Sequence, residues 1–184
     1  MVRAFLAVEA SEGVDADKLT ELYRRLGEVG QLKFVKKEQL HFTIKFFGDI
    51  PPATIETIRG LLSGLSIARF SITLKGIGTF PTPLRPRVIW IGVDEEGRTP
   101  LMDLAKRVGS LLAGKVPFDP KPFEPHLTVA RVKSLKDRAR FESTLADFRT
   151  TKFGSVDVKE IKLKESVLTS QGPIYHDLFS LGLE

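Results

Sequence analysis

The chain has 184 residues, with 28 Lys and Arg against 23 Asp and Glu, for a net charge of +5. An apolar fraction of 42% supports a buried core and excludes a disordered chain, and no apolar run approaches the ~18 residues of a membrane span. Cys is absent, which removes a disulfide scaffold, a thiolate zinc site and a Cys nucleophile together.

Val2 to Val8 is an apolar run and reads as a strand. Asp15 or Asp17 caps a helix in which Leu19, Leu22, Leu26 and Val29 recur at helical spacing. Phe34 to Phe47 holds a long strand, strongest over Leu40–Phe47. Pro51 and Pro52 open a second helix with Ile55, Ile58, Leu61, Leu62 and Leu65 on one stripe. Phe70, Ile72 and Leu74 alternate as in a strand, Gly76 to Pro86 reads as a turn-rich loop, and Val88–Ile91 is a near-continuous apolar strand. Leu101, Leu104, Val108 and Leu111 mark a third helix. A loop over Val116–Pro125 carries prolines 117, 120, 122 and 125, and His126–Val132 is the next strand. Ser134, with Asp137 three residues on, opens a helix carrying Phe141, Leu145 and Phe148. Val156, Val158, Ile161 and Leu163 lie in a strand region, and Ile174–Leu181 forms the last strand.

This order repeats. His41 and His126 lie 85 residues apart, and the same offset carries Ile55–Leu65 onto Arg140–Thr150, Phe70 onto Ser155 and Ile89 onto Ile174. No linker would let the halves separate freely. The expectation is one domain over residues 1–184 with two pseudo-symmetric lobes. Asn is absent and Gln occurs only at 31, 39 and 171, which points to a heat-adapted source. The segment MVRAFLAVEASEG turns polar and acidic too soon for a signal peptide, so a cytoplasmic location is expected. The positive charge permits a polyanionic partner without demanding one.

Only three His are present, and two of them share a pattern. Leu40-His-Phe-Thr-Ile and Pro125-His-Leu-Thr-Val each place His and Thr two apart on a predicted strand. With period two, His41 and Thr43 share one face and Phe42 and Ile44 the other, and the same holds for His126 and Thr128. A single His-x-Thr carries no weight, since Thr favours strands. Two copies at equivalent places of a repeat do carry weight. Two His are also metal ligands, but a catalytic zinc usually takes three protein ligands, and only Glu124 adjoins either motif. Two imidazoles can act as acid and base in a displacement at phosphorus, while two hydroxyls hold the non-bridging oxygens.

His41-Phe-Thr-Ile44 and His126-Leu-Thr-Val129 resemble the paired motifs of the 2H phosphoesterase superfamily. Leu40–Gly48, Phe80-Pro81, Arg85–Gly92 and Pro122–Val132 resemble, within it, the RNA 2′,3′-cyclic phosphodiesterases, historically called 2′-5′ RNA ligases. The likeness runs from Arg3 to near Leu181. It implies an α+β fold of two lobes, each an antiparallel sheet with helices on its outer face, around a central cleft. It implies hydrolysis of an RNA-terminal 2′,3′-cyclic phosphate to a 2′-phosphomonoester, with His41 as proton donor, His126 as proton acceptor, and Thr43 and Thr128 on the phosphoryl oxygens. In reverse, a 5′-hydroxyl replaces water and forms a 2′-5′ linkage. No cofactor and no metal are implied. The expected partner is RNA bearing a cyclic phosphate end, tRNA fragments among the candidates, with no membrane and no obligatory protein partner. The same chemistry on a 2′-5′ oligonucleotide or a cyclic phosphate of ADP-ribose is an alternative, as is a non-catalytic RNA-binding module.

Further residues are candidates. Arg131 matches the family's phosphate-binding Arg, although strand parity puts it opposite His126 unless a bulge re-aims it. Lys45 shares the His41–Thr43 face by parity and is a candidate for the RNA backbone. Arg85 and Arg87 flank Pro86 in a loop that either reaches the cleft or is solvated. Phe46, Phe47 and Trp90 are either buried or stack on bases. Tyr175 is a weaker cleft candidate, and His176 an exposed strand residue. Gly76-Ile-Gly78 is a turn signal with no helix after it.

Overall fold

The computed structural model describes residues 1–184. In chain order it contains β1 (Val2–Glu9), α1 (Ala16–Gly27), β2 (Gly30–Phe34), β3 (His41–Ile50), α2 (Pro52–Leu62), β4 (Phe70–Phe80), β5 (Val88–Val93), α3 (Glu95–Leu112), β6 (Leu127–Leu135), α4 (Arg138–Asp147), β7 (Lys152–Val158), β8 (Glu160–Thr169) and β9 (Gly172–Gly182). Local chemistry sets the helix starts. Asp15 accepts from the Asp17 and Lys18 amides at 3.0 and 3.1 Å, satisfying orphan donors of α1. Asp137, not Ser134, caps α4, accepting from the Arg140 amide at 2.9 Å, because β6 runs on through Ser134 to Leu135.

The strands form two antiparallel sheets, ordered β3-β1-β8-β9 and β2-β6-β5-β4-β7. Each sheet takes strands from both halves of the chain. The pair β3-β1, with β3 at the edge of its sheet, corresponds to the inner pair β6-β5 in the other, and the 85-residue offset carries β3 onto β6, β1 onto β5 and α2 onto α4. The offset also carried Ile89 onto Ile174, yet Ile89 lies on inner strand β5 and Ile174 on edge strand β9, so that part of the match is not mirrored in the sheets. One apolar cluster joins Phe42 and Ile44 of β3, Leu127 and Val129 of β6, and the inward stripes of the helices, such as Leu22 and Leu26 of α1 and Leu104 and Val108 of α3. The opposite faces of β3 and β6 are left free to line a cleft. None of the helices is long and apolar enough to cross a membrane.

Two further boundaries differ from the expected ones. Phe34 and Phe47 belong to separate strands, because Val35–Leu40 breaks into a single 3-10 turn at Lys37–Gln39 between β2 and β3. The expected loop Gly76–Pro86 starts later than the sequence suggests: β4 continues to Phe80, with a bulge at Gly76, whose φ is +72°, and the turn-rich loop follows from Pro81. Gly78 lies opposite Trp90, and a Cβ there would sit 2.3 Å from the indole. Glycine here makes room for an aromatic ring and does not end the strand.

Candidate active site

The two His-x-Thr segments do come together. His41, Thr43, His126 and Thr128 all line one cleft of about 570 Å³ between the sheets, while Phe42, Ile44, Leu127 and Val129 are buried in the core. Both imidazoles are held alike. His41 Nδ1 donates to the Gln39 carbonyl at 2.8 Å, and His126 Nδ1 donates to the Glu124 carbonyl at 2.7 Å. A carbonyl can only accept, so each Nδ1 carries the proton and each Nε2 is left for a ligand. Aromatic edges fix the rings further. Phe5 and Tyr175 pack on His41 with centroids 5.0 and 5.3 Å away, and Phe80 meets His126 edge-on at 4.9 Å.

A bulge follows each motif at the same place. Between β1 and β3, Leu6 pairs with Lys45 and Ala7 with Thr43, leaving Ile44 unpaired. Between β5 and β6, Ile89 pairs with Ala130 and Trp90 with Thr128, leaving Val129 unpaired. An extra residue reverses strand parity beyond it. Arg131 therefore joins Thr128 on the cleft face, as does Phe46 with Thr43. The same bulge overturns the placement of Lys45: it turns away from the cleft, and its ammonium lies 4.7 Å above the Phe118 ring. Phe47 is buried, and Trp90 is not among the cleft-lining residues. Arg85 and Arg87 are exposed outside the cleft, and His176 is exposed on β9. Tyr175 lines the cleft.

The cleft is electrostatically one-sided. Arg3, Lys33, Lys36 and Arg131 line it, and no Asp or Glu does. Arg3 also lies over the Phe46 ring, 4.8 Å from its centroid. Elsewhere a cavity of about 560 Å³ is lined by Glu9, Glu12, Asp157 and Glu160 against Lys159 and Lys162. Of the two, the His-bearing cleft is the one that suits an anion. Arg3, Lys33 and Lys36 escaped the sequence reading. Arg3 reads as an ordinary strand-end residue. The expected strand begins at Phe34, which leaves Gly30–Lys33 of β2 outside any expected element and Lys36 inside a strand that the structure breaks, so the facing of the two lysines has no basis in sequence.

Burial pushes the His41 imidazole below its usual range; the Lys164 and His126 charges act in the same sense, while the Gln39 carbonyl and Glu9 oppose them. Lys164 is buried and ion-paired with Glu9 and, at 2.8 Å, with Asp177. Lys162 bonds Glu9 at 2.8 Å and Asp177 at 3.1 Å. Burial alone would raise the Glu9 carboxyl, but these lysines bring it below the ordinary range. Without a ligand, His41 is therefore neutral at pH 7. An anion in the cleft opposes that shift, because negative charge beside Nε2 favours the imidazolium. The arrangement offers two poised imidazoles, two hydroxyls and a cationic wall, which together can hold a phosphoryl group and move protons on either side of it. No three His, Asp or Glu side chains converge as a metal-ligand set.

The chain matches the family model described as LigT like Phosphoesterase twice, over residues 13–90 and 91–175. It is 41% identical over 184 residues to the RNA 2′,3′-cyclic phosphodiesterase of Aquifex aeolicus, covering 95% of this chain and 94% of that protein. It is 36% identical over 178 residues to the protein of the same name from Archaeoglobus fulgidus, covering 96% and 98%. Such hot-water relatives agree with the scarcity of Asn and Gln. Among solved structures, TT0787 of Thermus thermophilus superposes with a TM-score of 0.75 at 27% identity, covering 98% of this chain and 97% of that one. LigT of Escherichia coli, solved with 3′-AMP, shares the fold at a TM-score of 0.72 and 21% identity, covering 99% and 98%. Each family match contains one His-x-Thr, and the chain belongs to the LigT-like phosphoesterases of the 2H superfamily.

Proposed function

We propose that this protein hydrolyses the 2′,3′-cyclic phosphate at an RNA end to a 2′-phosphomonoester. The names of its near full-length relatives support the substrate. The observation that carries the reading is the doubled pinning of His41 and His126 through Nδ1, with both Nε2 atoms free in a cleft that holds four cations and no carboxylate.

In this reading His126 Nε2 takes a proton from water as its oxygen bonds to phosphorus. The bond from phosphorus to the 3′ oxygen breaks, and His41 Nε2 gives that oxygen a proton. The products are a 3′-hydroxyl and a 2′-phosphate, with one water consumed. His41 must be charged to act as donor, and the bound phosphate supplies the charge that favours it. Thr43 and Thr128 donate to the non-bridging oxygens as charge gathers there, with Arg131 beside them. A 5′-hydroxyl in place of water makes a 2′-5′ linkage from the same ester. No cofactor is needed, because the strained ester carries the activation. Residues 1–184 act as one unit in this account, supported by sheets that interleave both halves. Substrates with labelled cyclic ends, tRNA fragments among them, test the reading; release of a 3′-monophosphate, or no turnover at all, contradicts it.

A further inference from the structure

Lys33 and Arg131 lie directly opposite one another across β2 and β6, and both face the cleft. Like charges so placed repel. Neither they nor Lys36 takes part in any of the protein's ion pairs or side-chain hydrogen bonds. In a chain with 23 acidic residues, three neighbouring cations without a carboxylate mark a place made for an anion. Arg131 is three residues past Thr128 and belongs to the reacting phosphate. Lys33 sits one strand farther out, about 5 Å away in Cα terms, and Lys36 follows it just past the end of β2.

The facing wall is the turn of the β8–β9 hairpin. Gln39 donates to the Pro173 carbonyl at 2.8 Å, which ties that turn to the segment carrying the lysines. A Cβ on Gly172 would stand 3.5 Å from Lys33 Nζ, and Gly172 has φ +130°, so the turn backbone comes close to this ammonium. Leu168, 69% exposed, lines the same mouth.

We infer that Lys33 and Lys36 form a second phosphate subsite, which holds the phosphodiester upstream of the reacting cyclic phosphate. The inference rests on the hydrolase reading and narrows its substrate: the ligand is an oligoribonucleotide end, with its chain leaving between β2 and the β8–β9 turn. A lone cyclic mononucleotide has no phosphate to place there.

The test compares kcat/KM for a short oligoribonucleotide ending in a 2′,3′-cyclic phosphate with that for a 2′,3′-cyclic mononucleotide. The expected preference is ~10-fold or more for the oligomer at low salt, shrinking as salt screens the contact. Lys33→Met and Lys36→Met should each reduce that preference several-fold, and Lys→Arg should retain it. Equal loss on both substrates would place the lysines on the reacting phosphate and overturn the inference, as would a wild-type preference near one. Binding of the same oligomer ending in a 3′-phosphate, against a nucleoside 3′-phosphate, reads the subsite without turnover. If neither cyclic substrate reacts but this binding preference exists and the Met variants remove it, the hydrolase reading falls and the subsite stands. If the binding preference is absent as well, the subsite falls.

Discussion

Nδ1 of His126 donates to the carbonyl of Glu124, two residues earlier, just as Nδ1 of His41 donates to the carbonyl of Gln39. The bond fixes the tautomer by backbone alone. Substituting Gln39 or Glu124 should therefore leave both imidazoles pinned, whereas the imidazoles themselves have no substitute.

Each His should be catalytic, not structural. Both side chains face the cleft while their neighbours fill the core. His41→Ala and His126→Ala should fold normally and lower turnover by a factor of ~10² or more, as for loss of a general acid or base. Near-full activity in either variant removes that His from the mechanism.

The threonines should act in the transition state. Thr43→Val and Thr128→Val keep shape and strand propensity but remove a donor. Each should reduce kcat by ~10- to 10³-fold, by analogy with loss of an oxyanion donor, with little change in Tm. Thr→Ser restores the hydroxyl and should recover much of the rate. Purely structural threonines would give the reverse, with Val silent for activity and Ser lowering Tm.

The bulges set a contrast between two cations. Arg131→Met should lower kcat/KM by ~10- to 100-fold, the value of hydrogen bonds to a charged group. Lys45→Met should leave kcat/KM nearly unchanged, because the ammonium sits over Phe118 and outside the cleft. Equal losses in both variants would mean that Lys45 turns inward when substrate binds.

The pH dependence has a definite sign. His41 titrates lower in the folded chain than when unfolded, so the unfolded state binds more protons between the two values. Its contribution to stability is complete above about 6.5, the unfolded value, and is lost as pH falls through the folded one. NMR titration of the free protein should find His41 below about 6.5, and saturating inorganic phosphate should raise it. A value that stays low with the anion bound would reverse the donor and acceptor roles of the two imidazoles.

Activity on a cyclic-phosphate end should survive excess chelator. The cleft presents two imidazoles and no carboxylate, one ligand short of the usual catalytic zinc set. Loss of activity restored by zinc would favour the metal reading.

Period and repetition are properties of the chain alone, and they carried much of the site. Alternation put Phe42 and Leu127 in the core and their flanking His and Thr opposite. The 85-residue offset paired the two motifs, and their spelling carried the family. Parity then fails wherever an unpaired residue enters a ladder, since one insertion turns over every side chain beyond it. Bulges at Ile44 and Val129 depend on how β3 and β6 pair with β1 and β5, partners far away in the chain. Long-range pairing therefore turned Lys45 out and brought Arg131 and Phe46 in, and no local pattern could have done so. The cationic wall is of the same kind. Arg3 comes from one sheet, Lys33 from the end of a strand in the other and Lys36 from the segment just past it, and their common facing exists once both sheets close on one cleft.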